Sequence, residues 1–312
     1  MPKKNNRKTK ILKTIDFAVK GFFMGSSDIL PGISGGTIAL ILGIYERLIN
    51  AIKGINIRFV KPLFFYLLKW DKKSLTNLKT TLKPMDLKFL IPLIIGDATA
   101  FIIGAKIIKR LLDSHPIAVY SFFVGLIAVS IKILLRKVEG RSFINFLMTI
   151  IGAVIGAILA LSISISAPHT LTFIFFSAIA AICAMLLPGI SGSYVLLILG
   201  QYNYMLGVLN DFAKNGNLIT IAVFITGLFI GLISFSRVIS YLLKKYHRGT
   251  MSFLVGLMLG SLIFPIRKIY QGIAKGTNPK EIILSIVFLA TGIAAIEILD
   301  RVDKKIRIKK KY

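Results

Sequence analysis

One segment of this chain is written twice. Residues 30–45 read LPGISGGTIALILGIY and residues 187–202 read LPGISGSYVLLILGQY, so eleven of the sixteen positions are identical at an offset of 157. A second block repeats at an offset of 131. There Gly96 matches Gly227, Leu111 and Leu112 match Leu242 and Leu243, and Ser121–Phe122 match Ser252–Phe253. A duplicated unit restricts the fold strongly, because each copy must satisfy the same local structure. The change of offset places about 26 extra residues in the first copy, between the two blocks. The chain therefore divides into repeat one, 14–166, carrying a basic insertion at 53–88, and repeat two, 171–300.

The stretches between these blocks set the solvent. Phe143–Ser166, Leu218–Leu243 and Glu281–Leu299 are apolar over about the 20 residues that span a bilayer. Of the whole chain, 55% is hydrophobic and only 17% charged, against about 25% charged in soluble domains. In lipid every backbone polar group must be paired internally, so spans are helices or closed barrels. Barrel strands alternate polar and apolar over about ten residues, and these runs do not. The expectation is an all-α polytopic membrane protein. Cys183 stands alone, which excludes a disulfide framework and a cysteine metal site. No metal or cofactor is expected. The basic N-terminal stretch precedes an apolar segment interrupted by Lys20 and Asp28. It is expected to remain in the mature protein rather than act as a signal peptide.

The formal charge is +27. Spread over short loops without a nucleic-acid-binding motif, it excludes a nucleic-acid partner and reads as a record of topology. The first 13 residues carry six Lys and Arg, Lys53–Lys88 nine, and the tail from Arg301 seven. Asp113–Pro116 and Ala167–Thr170 carry none. Basic loops stay cytoplasmic, so the tails 1–13 and 301–312 are expected to be cytoplasmic. Arg267–Lys280, with four, fits least well. Residues ~14–52 then enter and leave on the inner side, and ~171–209 on the outer side. Three spans follow each of these segments, at ~89–112, ~117–135 and ~143–166, and at ~218–243, ~250–266 and ~281–300. An odd number of spans inverts the second copy. The expected architecture is two inverted-topology repeats, each a re-entrant helix hairpin plus three transmembrane helices, as in many secondary transporters.

Each repeat opens with a short apolar half-helix, then Pro-Gly-Ile-Ser-Gly, then a second half-helix running to about Asn50 or Leu209. Pro31 and Pro188 interrupt the helix, and the glycines permit a tight turn. At such a tip the next helix begins with unpaired N–H groups at its positive end. Gly32, Ser34, Gly35, Gly36 and Thr37 in one copy, and Gly189, Ser191, Gly192 and Ser193 in the other, suit a phosphate. Two tips are expected to converge on one anion. Arg237 lies within a span, and Lys106 matches it at offset 131. Both are candidate phosphate ligands, because ionisable residues inside a membrane are rare and functional. Asp28 and Asp97 are candidates for proton coupling or ion pairing, and Glu46 and Arg47 for pairing with each other. His115 and His169 read as loop residues. The aromatic run FVKPLFFYLLKW (59–70) reads as an interfacial segment on anionic lipid.

The segments SSDILPGISGGTIALILGIYERLI, LLPGISGSYVLLILGQY and SRVISYLLKKY resemble those of the bacterial polyprenyl-phosphate transporters, over roughly residues 15–300. The resemblance implies flipping of undecaprenyl phosphate across the bacterial cytoplasmic membrane, returning the lipid carrier to cell-wall synthesis. The family pattern falls on Asp28, Pro31, Gly32, Ser34, Gly35, Gly36, Thr37, Glu46, Arg47, Pro188, Gly189, Ser191, Gly192, Ser193 and Arg237. The partners implied are the polyprenyl phosphate and membrane lipid, with a homo-oligomer left open. Two alternatives stand beside this one: an undecaprenyl-diphosphate phosphatase-like enzyme, and a small-anion transporter of the same fold. The phosphatases carry Pro-Gly-x-Ser-Arg-Ser-Gly and paired glutamates. Here Gly35 and Gly192 occupy the arginine position and no Glu pair precedes either motif, which favours a transporter over an enzyme.

Overall fold

A computed structural model describes residues 3–29, 33–55, 60–69, 71–137, 142–165, 167–211 and 216–309. Pro31 and Gly32 of the first motif, and Phe59 and Trp70 of the aromatic run, lie outside the described residues. The helices in chain order are α1 (Lys3–Asp28), α2 (Gly35–Ile41), α3 (Tyr45–Lys53), α4 (Val60–Lys69), α5 (Lys72–Leu82), α6 (Leu87–Thr99), α7 (Ala105–Ser114) and α8 (Pro116–Lys137). They continue with α9 (Phe143–Leu161), α10 (Leu171–Leu186), α11 (Gly192–Ile198), α12 (Tyr202–Asn210), α13 (Asn217–Lys245), α14 (His247–Ser261), α15 (Ile263–Ala274) and α16 (Pro279–Lys309). A π-helical turn, Ala100–Gly104, joins α6 to α7.

Among the described residues, six helical stretches are long and apolar enough to cross a membrane: Leu87–Gly104, Pro116–Arg136, Phe143–Leu161, Asn217–Lys245, His247–Ala274 and Pro279–Ile298. Their outward faces are apolar. On α9 the side chains of Phe143, Ile144, Phe146, Val154 and Ile158 are all exposed, the reverse of a soluble helix and the pattern that lipid selects.

Three sequence expectations change. The first half-helix, expected to start at residue 14, is a 26-residue helix reaching back to Lys3, since nothing in 3–13 breaks it. Arg267 and Lys268 are not in a loop but on α15, because His247–Ala274 is one long apolar stretch in which α15 follows α14 directly after Leu262. Finally, the half-helix after each motif is broken a second time. Helices α2 and α3 meet at 120°. Gly43 (φ +68°) and Gly200 (φ +67°) take the left-handed conformation that closes a helix. Around them the Ile44 N–H donates to the Ala39 carbonyl and the Gln201 N–H to the Leu196 carbonyl, both at 2.9 Å. The two copies thus end α2 and α11 with the same wrap-around cap.

The chain forms two compact units, and each draws on both halves of the sequence. Unit 1 comprises 1–104, 164–187 and 191–246. In it α1 crosses α6 at very short range. A Cβ added at Gly21 would strike the Leu93 carbonyl, and one at Gly96 the Ala18 carbonyl, the close backbone approach of packed membrane helices. Helix α10 packs on α13, and α13 on α3. Unit 2 comprises 105–163, 188–190 and 247–312. Its α9–α14 and α8–α16 pairs rest on the same device, with Gly260 against the Ala153 carbonyl and Gly292 against that of Phe122.

Candidate functional site

The first motif brings its polar atoms into the interior of unit 1. Ser34 caps α2, and its Oγ accepts from the Gly36 N–H at 3.1 Å. The Gly35 N–H donates to Asp28 Oδ1 at 2.6 Å. A Cβ at residue 35 would collide with that carboxylate, so the residue type and the acid are matched to each other. Ser34 and Thr37 are 0% and 1% exposed. The amides expected to face an external anion are therefore engaged by the chain itself. Asp28 sits where an anion is favoured, at the positive end of a helix.

Asp97 reaches the same place from α6. Its Oδ1 would lie 2.8 Å from a Cβ on Gly25, and its charge is near enough to act on Asp28. Two acids that are 69 residues apart in sequence thus share one junction of α1, α2 and α6.

In the second copy Met185 occupies the place of Asp28. The Ser191 and Ser193 hydroxyls bond each other at 2.8 Å across the start of α11. Gly189 (φ +92°) belongs to unit 2, against the Leu257 carbonyl and Ser261 Oγ. Elsewhere the two motif segments are tied together within unit 1. The buried Tyr45 hydroxyl donates to the Leu186 carbonyl at 2.9 Å, and Ser34 Oγ reaches the Leu187 carbonyl at 3.4 Å.

The candidate cations lie on three different helices, α3, α7 and α13. Arg47 pairs with Asp86, Nε to Oδ2 at 2.8 Å. Its guanidinium lies between the rings of Phe17 and Phe89, 4.6 and 4.5 Å from their centroids. Stacking of this kind is what a planar cation provides, so Arg47 holds α3 to α1 and α6. Glu46 is exposed in the first turn of α3. Arg237 is exposed on α13 in unit 1, and Lys106 is exposed on α7 in unit 2.

Both histidines read as loop residues have defined partners. His169 stacks on Tyr204, centroids 4.1 Å apart, and its Nδ1 lies 3.1 Å from Oε1 of the fully buried Gln201. His115 Nδ1 lies 2.7 Å from Glu281 Oε2, joining the α7–α8 corner to the start of α16. One signal for His169 was present in the sequence: Gln201 replaces Ile44 in an otherwise repeated segment. Among the described residues no group of three His, Cys, Asp or Glu side chains gathers as a metal site.

Residues 24–279 match the VCA0040-like family, described as undecaprenyl phosphate translocase-like. The chain belongs to the undecaprenyl phosphate translocase-like family. A polyprenyl-phosphate transporter of Vibrio cholerae is 39% identical over 253 residues, covering 81% of this chain and 78% of that protein. A polyprenyl-phosphate transporter of Staphylococcus aureus is 34% identical over 265 residues, covering 79% and 85%. No solved structure matches the chain significantly. Both PGISG segments and Arg237 of this translocase-like protein fall inside the matched residues, as do Asp28 and Asp97. Its apolar helices and these relatives make it a multi-pass membrane protein of transporter type.

Proposed function

We propose that this protein flips polyprenyl phosphate, undecaprenyl phosphate in particular, across the bacterial cytoplasmic membrane and so recycles the carrier for cell-wall synthesis. Both termini lie in the cytoplasm on this reading. The chain is two inverted repeats, and each PGISG segment is a re-entrant hairpin whose tip holds the phosphate. The observation that carries the reading is the internal carboxylate. Asp28 occupies the α2 N-terminus as a resident anion, hydrogen-bonded to Gly35. A lipid phosphate arriving there takes its place. Protonation of Asp28, with Asp97 beside it, frees the Gly35 amide and links headgroup binding to a proton. Ser34, Thr37, Ser191 and Ser193 supply hydroxyls, and Arg237 supplies charge. An unpaired charge in hydrocarbon costs many kcal/mol, and these groups offset that cost while the prenyl tail stays in lipid.

Support for the repeats comes from the matched caps at Gly43 and Gly200, and from units that each take corresponding parts of both halves. The test is transfer of fluorescent polyprenyl phosphate between leaflets of proteoliposomes. Wild-type protein transfers it, and Arg237→Ala loses transfer while keeping its melting temperature. Lys106→Ala, made in parallel, reports on the matching cation in unit 2. Wild-type rates in Arg237→Ala remove that residue from the mechanism. Release of phosphate from polyprenyl diphosphate by the purified protein replaces this reading with the enzymatic one. Soluble phosphate competing as well as the lipid replaces it with small-anion transport.

A further inference from the structure

Among the described residues, no acid pairs with the cation that ends α3. Lys53 is half-buried, and its Nζ donates to Ser240 Oγ on α13 at 3.2 Å. Ser240, 1% exposed, donates in turn to Asn50 Oδ1 at 3.0 Å. Asn50 Nδ2 donates to the Glu46 carbonyl at 2.8 Å. An ammonium carries three donors, and the Ser240 hydroxyl takes one of them. Arg237 lies three residues before Ser240 and Lys244 four after it, spacings that put side chains on neighbouring positions of one helix face. Both are exposed. Among the described residues, none of Lys53, Arg237 and Lys244 makes an ion pair. The one carboxylate on the Asn50–Lys53 face of α3 is Glu46, a turn before Asn50. Three cations against Glu46 leave two positive charges in excess, close to what neutralises a phosphate monoester of about −2 near neutral pH.

The patch is not duplicated. At offset 157 the places of Asn50 and Lys53 are Gly207 and Asn210, so the second copy lacks both the amide and the ammonium. Lys53 also opens the basic insertion, the part of the chain that the charge rule puts in the cytoplasm. A transporter with a preferred side of release needs a feature at one end that its repeat does not reproduce.

We propose that Lys53, Asn50 and Ser240, flanked by Lys244 and by Arg237, which the headgroup meets on its way from the PGISG tips, form a second phosphate-monoester site at the α3–α13 junction, where the headgroup rests at the cytoplasmic end of its path. The proposal builds on the transport reading above. Lys53 supplies charge and two further N–H donors. Ser240 fixes the ammonium, and Asn50 orients Ser240.

The experiment uses the full chain in phosphatidylcholine nanodiscs. The probes are farnesyl monophosphate and inorganic phosphate, with farnesol as the uncharged control. Lys53→Met weakens farnesyl phosphate binding about tenfold or more, the usual effect of losing a charge-assisted bond. Lys53→Arg recovers most of it, and farnesol binding is unchanged. Ser240→Ala, which removes only a hydroxyl, weakens it in the same direction and guards against misfolding of Lys53→Met. Independently, Lys53→Cys in a Cys183→Ser background reacts with a thiol reagent, and farnesyl phosphate slows that reaction. Inorganic phosphate protecting equally assigns the site to the phosphate group alone, and protection only by the farnesyl ester assigns it to the lipid headgroup. Lys53→Met and Ser240→Ala both binding like wild type, in a protein that still transports, overturns this inference and leaves the transport reading intact. Wild-type protein binding farnesyl phosphate no better than farnesol overturns both.

Discussion

At the scale of single residues, Gly35 and Asp28 form a lock whose parts can be separated. Gly35→Ala drives a methyl into the carboxylate that Gly35 binds. We expect it to lower the melting temperature in detergent, by about 1–3 kcal/mol of overpacking, and to abolish transport. Adding Asp28→Ala removes the collision, so the double variant melts closer to wild type than Gly35→Ala does, although transport stays low. A double variant no more stable than Gly35→Ala argues that the collision is not with Asp28. Arg47 gives a second prediction. Arg47→Lys keeps the charge and loses the flat surface lying between Phe17 and Phe89. The cost is about 1–2 kcal/mol, read as a lower melting temperature. An unchanged melting temperature would show that Arg47 is held by Asp86 alone.

Individual elements turn on the two caps. Gly43 and Gly200 have φ near +68°, where an L side chain costs about 1–2 kcal/mol. Gly43→Ala, with open space around its Cβ, should destabilise by about that much, Gly200→Ala by more because its Cβ would strike the Ile165 carbonyl, and Gly43→Asn by less because Asn tolerates this region. Scanning calorimetry of the purified variants checks the order. A cap at Gly43 also sets the 120° turn between α2 and α3. The same substitution therefore shifts Tyr45 and Arg47, and should reduce transport more than its stability loss alone explains. These caps were legible in outline, since LGIY and LGQY place a glycine at matching positions. Their effect on direction was not legible, because a run of Ile, Leu and Ala shows no periodicity that separates one helix from two. The π-helical turn at Ala100–Gly104 was hidden for the same reason.

For the whole molecule the charge pattern makes a topological prediction. In a Cys183→Ser background, single cysteines at Asp113 and Lys244 should label from opposite sides of the membrane with an impermeant thiol reagent. Reporter fusions at the two ends should both register the cytoplasm. Labelling of both cysteines from one side would refute the inverted arrangement. The duplication, the long apolar spans and the positions of the basic loops were all readable from the chain. They depend on local composition and on the free energy of placing charge or bare backbone in hydrocarbon, which each segment meets by itself.

Which helices pack together was decided only by the folded chain. Unit 1 and unit 2 cut across both sequence repeats, because close helix packing is set by where small residues of distant segments meet, as Gly21 and Gly96 do. The same holds for the polar groups. The sequence by itself marked Asp28, Asp97, Arg47 and the two motifs as residues needing a reason to lie in an apolar chain. Only the tertiary structure put Asp28 on the Gly35 amide, Arg47 between two rings, and the Lys53 ammonium on Ser240. Hydrogen bonds and stacking need partners within a few ångströms, and linear order does not specify which distant residues will be those partners.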